Sequence, residues 1–441
     1  MGPVRTTGDL VARGARTPTG RGPERIGTGR GAVFTRRWVV NGLLDLTGYS
    51  SDRDLSAIRL VEPAAGTGAF LLPAVERLLD SARRHARPWD DLEGSVRAWE
   101  LQHQHFTVCR DRLLAVLLDH GVPRTKAEDL CRSWMVHRDF LIGGDLFDQS
   151  VEDTDADVVV GNPPYIRLED LDPESLERYR STWSTMEGRA DIYVGFFERS
   201  LRMLSPGGTV GFICSDRWMR NQYGAALRTL VTQEFAVDAV WTMHDVQAFE
   251  SPVSAYPAIT LLRRGRQGPV VVAEATRTFD RHAAAGLIAW SADEPSGSEY
   301  SAPGVRAHRL PRWFAEGESW PTGSPGRLRL IEHLNDNFPP LQDPATGTRV
   351  GIGVASGADK VFITTDRDVV EEDRLLPLST VRDLASGEFR WSGRYLVNPW
   401  GRNGDLVDLD DFPELRRYLS TIGAGIRDRY VARRPLETAD G

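Results

Sequence analysis

Short apolar runs alternate with helix-period segments over residues 58–263, and this alternation restricts the fold more than any other feature of the chain. The strand-like runs lie at 58–62, 95–101, 136–142, 157–161, 209–214, 235–241 and 257–263. Helical spacing of apolar residues falls between them, from Phe70 to Leu79 and over 106–118, 124–134, 191–204 and 221–232. The helix over 191–204 meets a stop signal, Ser205-Pro206-Gly207-Gly208. Strands alternating with helices predict an α/β fold, a mostly parallel sheet with helices on both faces. Beyond about residue 265 the alternation gives way to loops and short strand-like pieces rich in Gly, Pro and Trp, which places a domain boundary there. No internal repeat is visible.

A chain of 441 residues that is 41% hydrophobic is expected to hold two domains. Its apolar runs are too short to span a membrane, and no stretch reads as a signal peptide. Cys109, Cys131 and Cys214 are scattered and offer neither a metal-binding spacing nor a disulfide framework. No metal and a reducing, cytoplasmic setting are therefore expected. The net charge of −8 argues weakly against nucleic-acid binding, but charge is unevenly spread. Residues 1–37 hold eight Arg against one Asp and one Glu. The Gly-, Pro- and Thr-rich arm over 1–30 cannot bury a core and is expected to be flexible. Its second reading is an arm that settles on phosphates.

Two strand ends carry chemistry. The first is EPAAGTGAF, residues 62–70, where a strand turns into a helix. Gly66 and Gly68 let the backbone approach a ligand closely, and the helix N-terminus that follows favours a polar or negative group. One residue separates the glycines and no third follows, so the dinucleotide pattern G-x-G-x-x-G is absent, as is a P-loop lysine. A ligand without a pyrophosphate is favoured. Acids follow at later strand ends. Glu100 is placed to accept both hydroxyls of a ribose. Asp145 is placed to accept an adenine amino group, with Leu146 or Phe147 against the ring face. The second informative strand end is DADVVVGNPPYIRLED, residues 155–170, where a buried strand stops at Asn162-Pro163-Pro164-Tyr165. The prolines end the strand and stiffen the turn, at the strand end where open α/β sheets bind ligands.

Together these segments resemble the gamma-class, TaqI-type family of S-adenosylmethionine-dependent adenine DNA methyltransferases. GAVFTRRWVV, residues 31–40, is similar to that family's N-terminal cofactor segment and puts Thr35 at its contacting position. EPAAGTGAF is similar to the glycine turn, and NPPY is complete. ADIYVGFFERSLRMLSPGGTVGFICSDRWM, residues 190–219, resembles the family's next helix and strand. The resemblance covers about 30–265 and implies a Rossmann-like class I methyltransferase domain over 31–265, with a mixed target-recognition domain over 266–441. It implies S-adenosylmethionine as cofactor, held by Thr35, Glu62, Pro63, Ala64, Gly66, Gly68, Phe70, Glu100, Asp145, Leu146 and Asn162. It implies catalysis by Asn162, Pro163, Pro164 and Tyr165, with the substrate an adenine flipped from double-stranded DNA and stacked between Tyr165 and Phe249. Trp218 and Tyr256 are alternatives for the second aromatic face.

In the C-terminal region GIGVASGADKVFI, residues 351–363, resembles a segment of the family's recognition domains, and Arg349 and Lys360 could touch DNA. The region is shorter than in known relatives, so a short recognition site or a partner is expected: a separate restriction endonuclease, specificity or defence subunit. No nuclease domain is expected. Two other readings stand beside this one. Methyltransferases that act on protein glutamine or on RNA guanine use the same motif. A catalytically silent DNA-binding specificity component would keep the fold without the reaction.

Overall fold

The computed structural model describes residues 34–142, 155–251, 256–293, 297–314, 319–321, 324–343, 345–351, 353–354, 356, 358–401 and 403–422. Two compact units, Met1–Pro339 and Pro340–Gly441, divide the chain. The first begins with helix α1 (Arg37–Leu46), strand β1 (Leu60–Glu62), α2 (Leu71–Arg84), β2 (Val96–Trp99), α3 (His103–Asp119), α4 (Arg124–Trp134) and β3 (Met135–Val136). Next come β4 (Ala156–Gly161), α5 (Pro173–Thr182), α6 (Tyr193–Arg202), β5 (Leu204–Ser215), α7 (Ala225–Glu234), β6 (Ala236–Thr242) and β7 (Pro257–Arg263). The unit closes with β8 (Val270–Ala275), α8 (Arg281–Ala292), β9 (Glu299–Ala302), β10 (Val305–Leu310) and α9 (Pro325–Asn337).

Its ten described strands form one sheet in the order β3-β2-β1-β4-β5-β7-β6-β8-β10-β9. From β3 to β5 every pairing is parallel. Strand β7 lies antiparallel between β5 and β6, and the β8-β10-β9 edge is antiparallel as well. The chain leaves β1 in one direction for β2 and β3, then returns to the other side of β1 for β4 and β5. That reversal opens a crevice at the carboxyl ends of β1 and β4, where doubly wound sheets bind ligands.

Alternate side chains of the central strands point to opposite faces, as strand geometry demands. Leu60, Val158 and Val160 pack under α1 to α4 and α8, while Val61, Val159 and Phe212 pack under α5, α6, α7 and α9. Each fully buried Leu, Val or Phe contributes about 1.5–3 kcal/mol, which makes this double layer the main source of stability. The α/β sheet covered on both faces is as expected from the alternation.

Three differences have physical causes. The run 136–142 does not continue as a strand past Val136. Phe140 instead stacks on Phe196 of α6, with ring centroids 5.2 Å apart, and Trp183 Nε1 donates to the Leu141 carbonyl at 2.8 Å. Packing and a side-chain donor replace the ladder there. Helix α5 is absent from the sequence reading, because its single buried apolar residue is Tyr179. Its start is set by Asp172, whose carboxylate accepts the Ser175 N–H at 2.9 Å, and by Pro173 in the first turn. The sheet also runs past residue 265 through β8, β9 and β10, so the first compact unit ends at Pro339. Helix α8 buries only Ala284, Leu287 and Trp290 among its alanines, so its periodicity is faint.

The second unit contains α10 (Asp359–Phe362), β11 (Ile363–Thr364), β12 (Leu375–Pro377), α11 (Val381–Leu384), β13 (Tyr395–Val397) and α12 (Pro413–Ile422). Strand β13 pairs antiparallel with β11 and β12. A small core of Val370, Leu375, Tyr395, Val397 and Leu415 holds it together. Glu371 caps α12, accepting the N–H groups of Glu414 and Leu415 at 2.7 and 3.0 Å. No described helix in either unit is long and apolar enough to cross a membrane.

Candidate active site

Strand β1 ends at Glu62, and the chain turns through Gly66 and Gly68 into α2. Both glycines have positive φ, +56° and +97°. A Cβ on Gly68 would lie 2.8 Å from Leu72 Cγ, so both dihedral and space demand glycine there. The turn is tied to the end of β2. Gly66 N–H donates to Glu100 Oε2 at 2.8 Å, and Gln102 N–H donates to Glu100 Oε1 at 2.7 Å. Glu100 is thus held by backbone rather than by another side chain. Burial pushes its carboxyl above the usual range, and the two N–H groups oppose that shift. His105 Nδ1 lies 3.9 Å from Glu100 Oε1, and its ring meets Phe34 edge-on.

Glu62 is 1% exposed. Burial, and then the charge of Glu100, push its carboxyl well above the usual range, against the N–H groups of Leu71 and Phe70. Its Oε2 has no hydrogen-bond partner among the described atoms. A buried carboxylate oxygen without a donor is costly, and a cationic or N–H-bearing ligand would remove that cost.

Strand β4 ends beside β1 and delivers Asn162 to the same crevice. Asn162 Nδ2 donates to Thr35 Oγ1 at 3.2 Å. Thr35 in turn forms a bridge with Phe249. Arg36 N–H donates to the Ala248 carbonyl and Glu250 N–H to the Phe34 carbonyl, both at 2.9 Å. Three distant segments therefore meet at Thr35. Tyr165 packs its ring edge-on against Tyr193, with centroids 6.3 Å apart. Its hydroxyl is buried without a partner among the described atoms, and burial pushes it well above the ordinary phenol range, while the residue as a whole is half-buried.

Thr35, Glu62, Pro63, Ala64, Gly66 and Phe70 line one cleft, and Glu100, Asn162 and Pro164 complete its wall. Its cavity volume is about 140 Å³, and it opens to solvent at its mouth. Gly68 shapes the turn from behind. Pro163 and Tyr165 follow Asn162 in the turn but do not line this cleft, and Phe249 lines a neighbouring cavity with Arg36 and His244. Asp145 and Leu146, like Phe147, lie outside the described residues. Of the alternatives to Phe249, Trp218 is buried against Phe197 and Trp320, and Tyr256 is exposed. Among the described residues no group of His, Cys, Asp and Glu could hold a metal ion.

The sequence reading missed several residues of the cleft wall. His105 sits on α3, and Tyr179 reaches the cleft from α5, where its hydroxyl donates to Asp139 Oδ2. Phe34 is the residue before Thr35 and could have been found from that adjacency. Tyr179 had no local signal, because only the tertiary fold brings α5 over the cleft.

Residues 119–249 match the family described as Eco57I restriction-modification methylase. Over 410 residues the chain is 42% identical to Type II methyltransferase M.PaeR7I of Pseudomonas aeruginosa, covering 92% of this chain and 69% of that one. The chain belongs to the Type II DNA methyltransferases. It is also 38% identical over 414 residues to Type II methyltransferase M.XhoI of Xanthomonas vasicola, with 92% and 74% of the two chains covered. A more distant relative, 25% identical over 456 residues, is the Adenine-specific methyltransferase PglX of Streptomyces coelicolor, with 87% of this chain and 36% of that one covered. The cofactor of this Type II methyltransferase is S-adenosylmethionine, and the cleft suits it. The cofactor carries a sulfonium and an ammonium group, and the cleft offers two buried carboxylates, one with an unpartnered oxygen. It bears no pyrophosphate, in keeping with a glycine turn that lacks the dinucleotide spacing.

Proposed function

We propose that this Type II methyltransferase is of the gamma class and methylates the exocyclic N6 amino group of an adenine flipped out of double-stranded DNA. The observation that carries this reading is the position of Asn162. It stands at the end of β4, its amide nitrogen turned to Thr35, on the wall of the cofactor cleft and at the head of a rigid Pro163-Pro164 turn.

S-adenosylmethionine supplies an electrophilic methyl group. The chain's residues have to make a poor nucleophile attack it, because the lone pair of an adenine amino group is delocalised into the ring. The amide oxygen of Asn162 and the carbonyl of Pro163 accept the two amino hydrogens. Those bonds improve as the nitrogen becomes tetrahedral, so they favour the transition state over the ground state. The prolines hold the Pro163 carbonyl in direction, which leaves little to reorganise during the reaction. Tyr165 stacks on the flipped base, with Phe249 as the second aromatic face. Flipping costs a few kcal/mol, and stacking returns about 1–3 kcal/mol per base.

Thr35, Glu62, Pro63, Ala64, Gly66, Gly68 and Phe70 hold the methionine end of the cofactor, Glu100 its ribose, and Asp145 with Leu146 its adenine. Catalysis belongs to the first compact unit, and target recognition to the second, Pro340–Gly441. Protection against a separate restriction endonuclease is the role that fits, and the relatives' restriction-modification names support it. The adenine-specific name of the PglX relative supports the choice of base.

The test is transfer of labelled methyl from S-adenosylmethionine to unmethylated DNA, with RNA and a release factor as parallel acceptors and Asn162→Ala as control. Label in DNA N6-methyladenine that is lost in the variant is the expected result. Label in RNA guanine, protein glutamine or DNA cytosine refutes the reading.

A further inference from the structure

The segment that leaves the Asn162–Tyr165 turn is clamped to the chain just ahead of α6. Ile192 N–H donates to the Ile166 carbonyl at 2.8 Å, and Leu168 N–H donates to the Ala190 carbonyl at 3.0 Å. Between those bonds Arg167 and Asp191 form a bridge. Asp191 therefore sits in the backbone clamp of the catalytic turn. Its side chain has a second engagement. Tyr223 O–H donates to Asp191 Oδ2 at 3.3 Å, and the Tyr223 and Tyr193 hydroxyls are 2.6 Å apart. The Tyr193 ring in turn meets Tyr165 edge-on, at 62° between planes.

We infer that Asp191, Tyr223 and Tyr193 are positioning residues for the reaction, a hydrogen-bonded chain that sets the angle of the Tyr165 ring against the target base. The inference rests on the proposed role of Tyr165 as the stacking face. Tyr165 cannot be aimed by its own hydroxyl, which has no partner among the described atoms. Its orientation comes from what its ring packs on. Tyr193 is buried, and the pairing of its hydroxyl with Tyr223 at 2.6 Å restrains its rotamer. A phenylalanine would fill the same space without that restraint. The anchor of the chain, Asp191, is also the residue paired across from Arg167, two residues beyond Tyr165. One residue thus ties the turn, through its backbone, and the ring behind it, through its side chain, to the same point, so that the carbonyl of Pro163 and the face of Tyr165 keep one relative geometry.

The experiment compares Asp191→Ala, Tyr223→Phe, Tyr193→Phe and the Asp191→Ala/Tyr193→Phe double variant with the wild-type chain. Steady-state methylation is followed on the DNA site mapped for the wild type, together with thermal melting and the emission of 2-aminopurine placed at the target base. Each single variant is expected to lower kcat about tenfold, with KM for S-adenosylmethionine unchanged. The double variant loses no more than either single one, since both cut one chain. The 2-aminopurine emission of the complexes rises, because a ring held at a changed angle stacks less well on the flipped base. A wild-type kcat in Tyr193→Phe, additive losses, or a lowered melting temperature with unchanged emission would each overturn the inference. If the wild type methylates something other than DNA adenine, the proposed function falls. The single and double variants, measured on the substrate it does methylate, then still score the chain for kcat and additivity.

Discussion

Replacing Glu62 by glutamine separates stability from cofactor binding at one atom. Glu62 is buried, its Oε2 has no partner among the described atoms, and burial and the Glu100 charge raise its carboxyl well above the ordinary value of 4.5. The folded state therefore binds this proton more tightly than the unfolded one. Stability from the group is complete below 4.5 and is lost as pH rises through the raised folded pKa. The glutamine side chain is an uncharged isostere of the protonated acid. Near pH 4.5 the variant and the wild type should melt together, and the variant should melt progressively higher as pH rises toward 8. An unsatisfied buried polar group costs about 1–3 kcal/mol, and more when charged. The gain at pH 8 should therefore reach roughly 1–3 kcal/mol, or a few degrees in Tm. Cofactor binding should move the opposite way. Loss of a charge-assisted contact costs about 1.5–3 kcal/mol, which is about 10–100-fold in Kd. Saturating S-adenosylmethionine should then shrink or invert the gap in Tm, because ligand that binds only the folded state stabilises the wild type more. Melting curves between pH 5 and 8, with and without cofactor, and calorimetric titration provide the readings. A Glu62→Gln variant that melts below the wild type at pH 8 without cofactor, or a gap independent of pH, refutes the reasoning.

Further outcomes follow from single contacts. Gly68→Ala puts a Cβ 2.8 Å from Leu72 Cγ at a positive φ, and strain of this kind costs about 1–3 kcal/mol, to be read as a lowered denaturation midpoint. Thr35→Val keeps the shape of the side chain and removes the acceptor for Asn162 Nδ2. kcat should fall about fivefold in steady-state methylation, a loss of about 1 kcal/mol, and Thr35→Ser should restore the rate. Glu371→Ala removes the acceptor of the Glu414 and Leu415 N–H groups and should destabilise the second unit by about 1 kcal/mol, seen as faster amide exchange in α12.

The parts of the site that were legible in the sequence are those whose signal is local. A strand period running into EPAAGTGAF or into NPPY announces a strand end with a defined turn, and a glycine that needs positive φ stands out wherever it occurs. The same logic reached Glu100, an acid at the end of a strand, and the structure shows it bonded to the glycine turn itself. Helix α5 and Tyr179 were not legible, because a helix with one buried apolar residue has no periodicity to read. Strands β8 to β10 escaped as well. Strand β8 is buried almost throughout and so shows no alternation, and half-exposed residues such as those of β9 blur it.

The sequence by itself determined the alternation of strands and helices that builds the sheet and the glycine and proline turns at two of its strand ends, since periodicity and turn geometry act over a few residues. Only the tertiary structure decided which of those ends meet. Thr35 joins Asn162 across 127 residues, and Arg36 Nε donates to the Phe249 carbonyl across 213. Such contacts depend on strand order, and strand order depends on how helices pack on both faces of the sheet at once. That is a property of the whole core, and no window of sequence contains it.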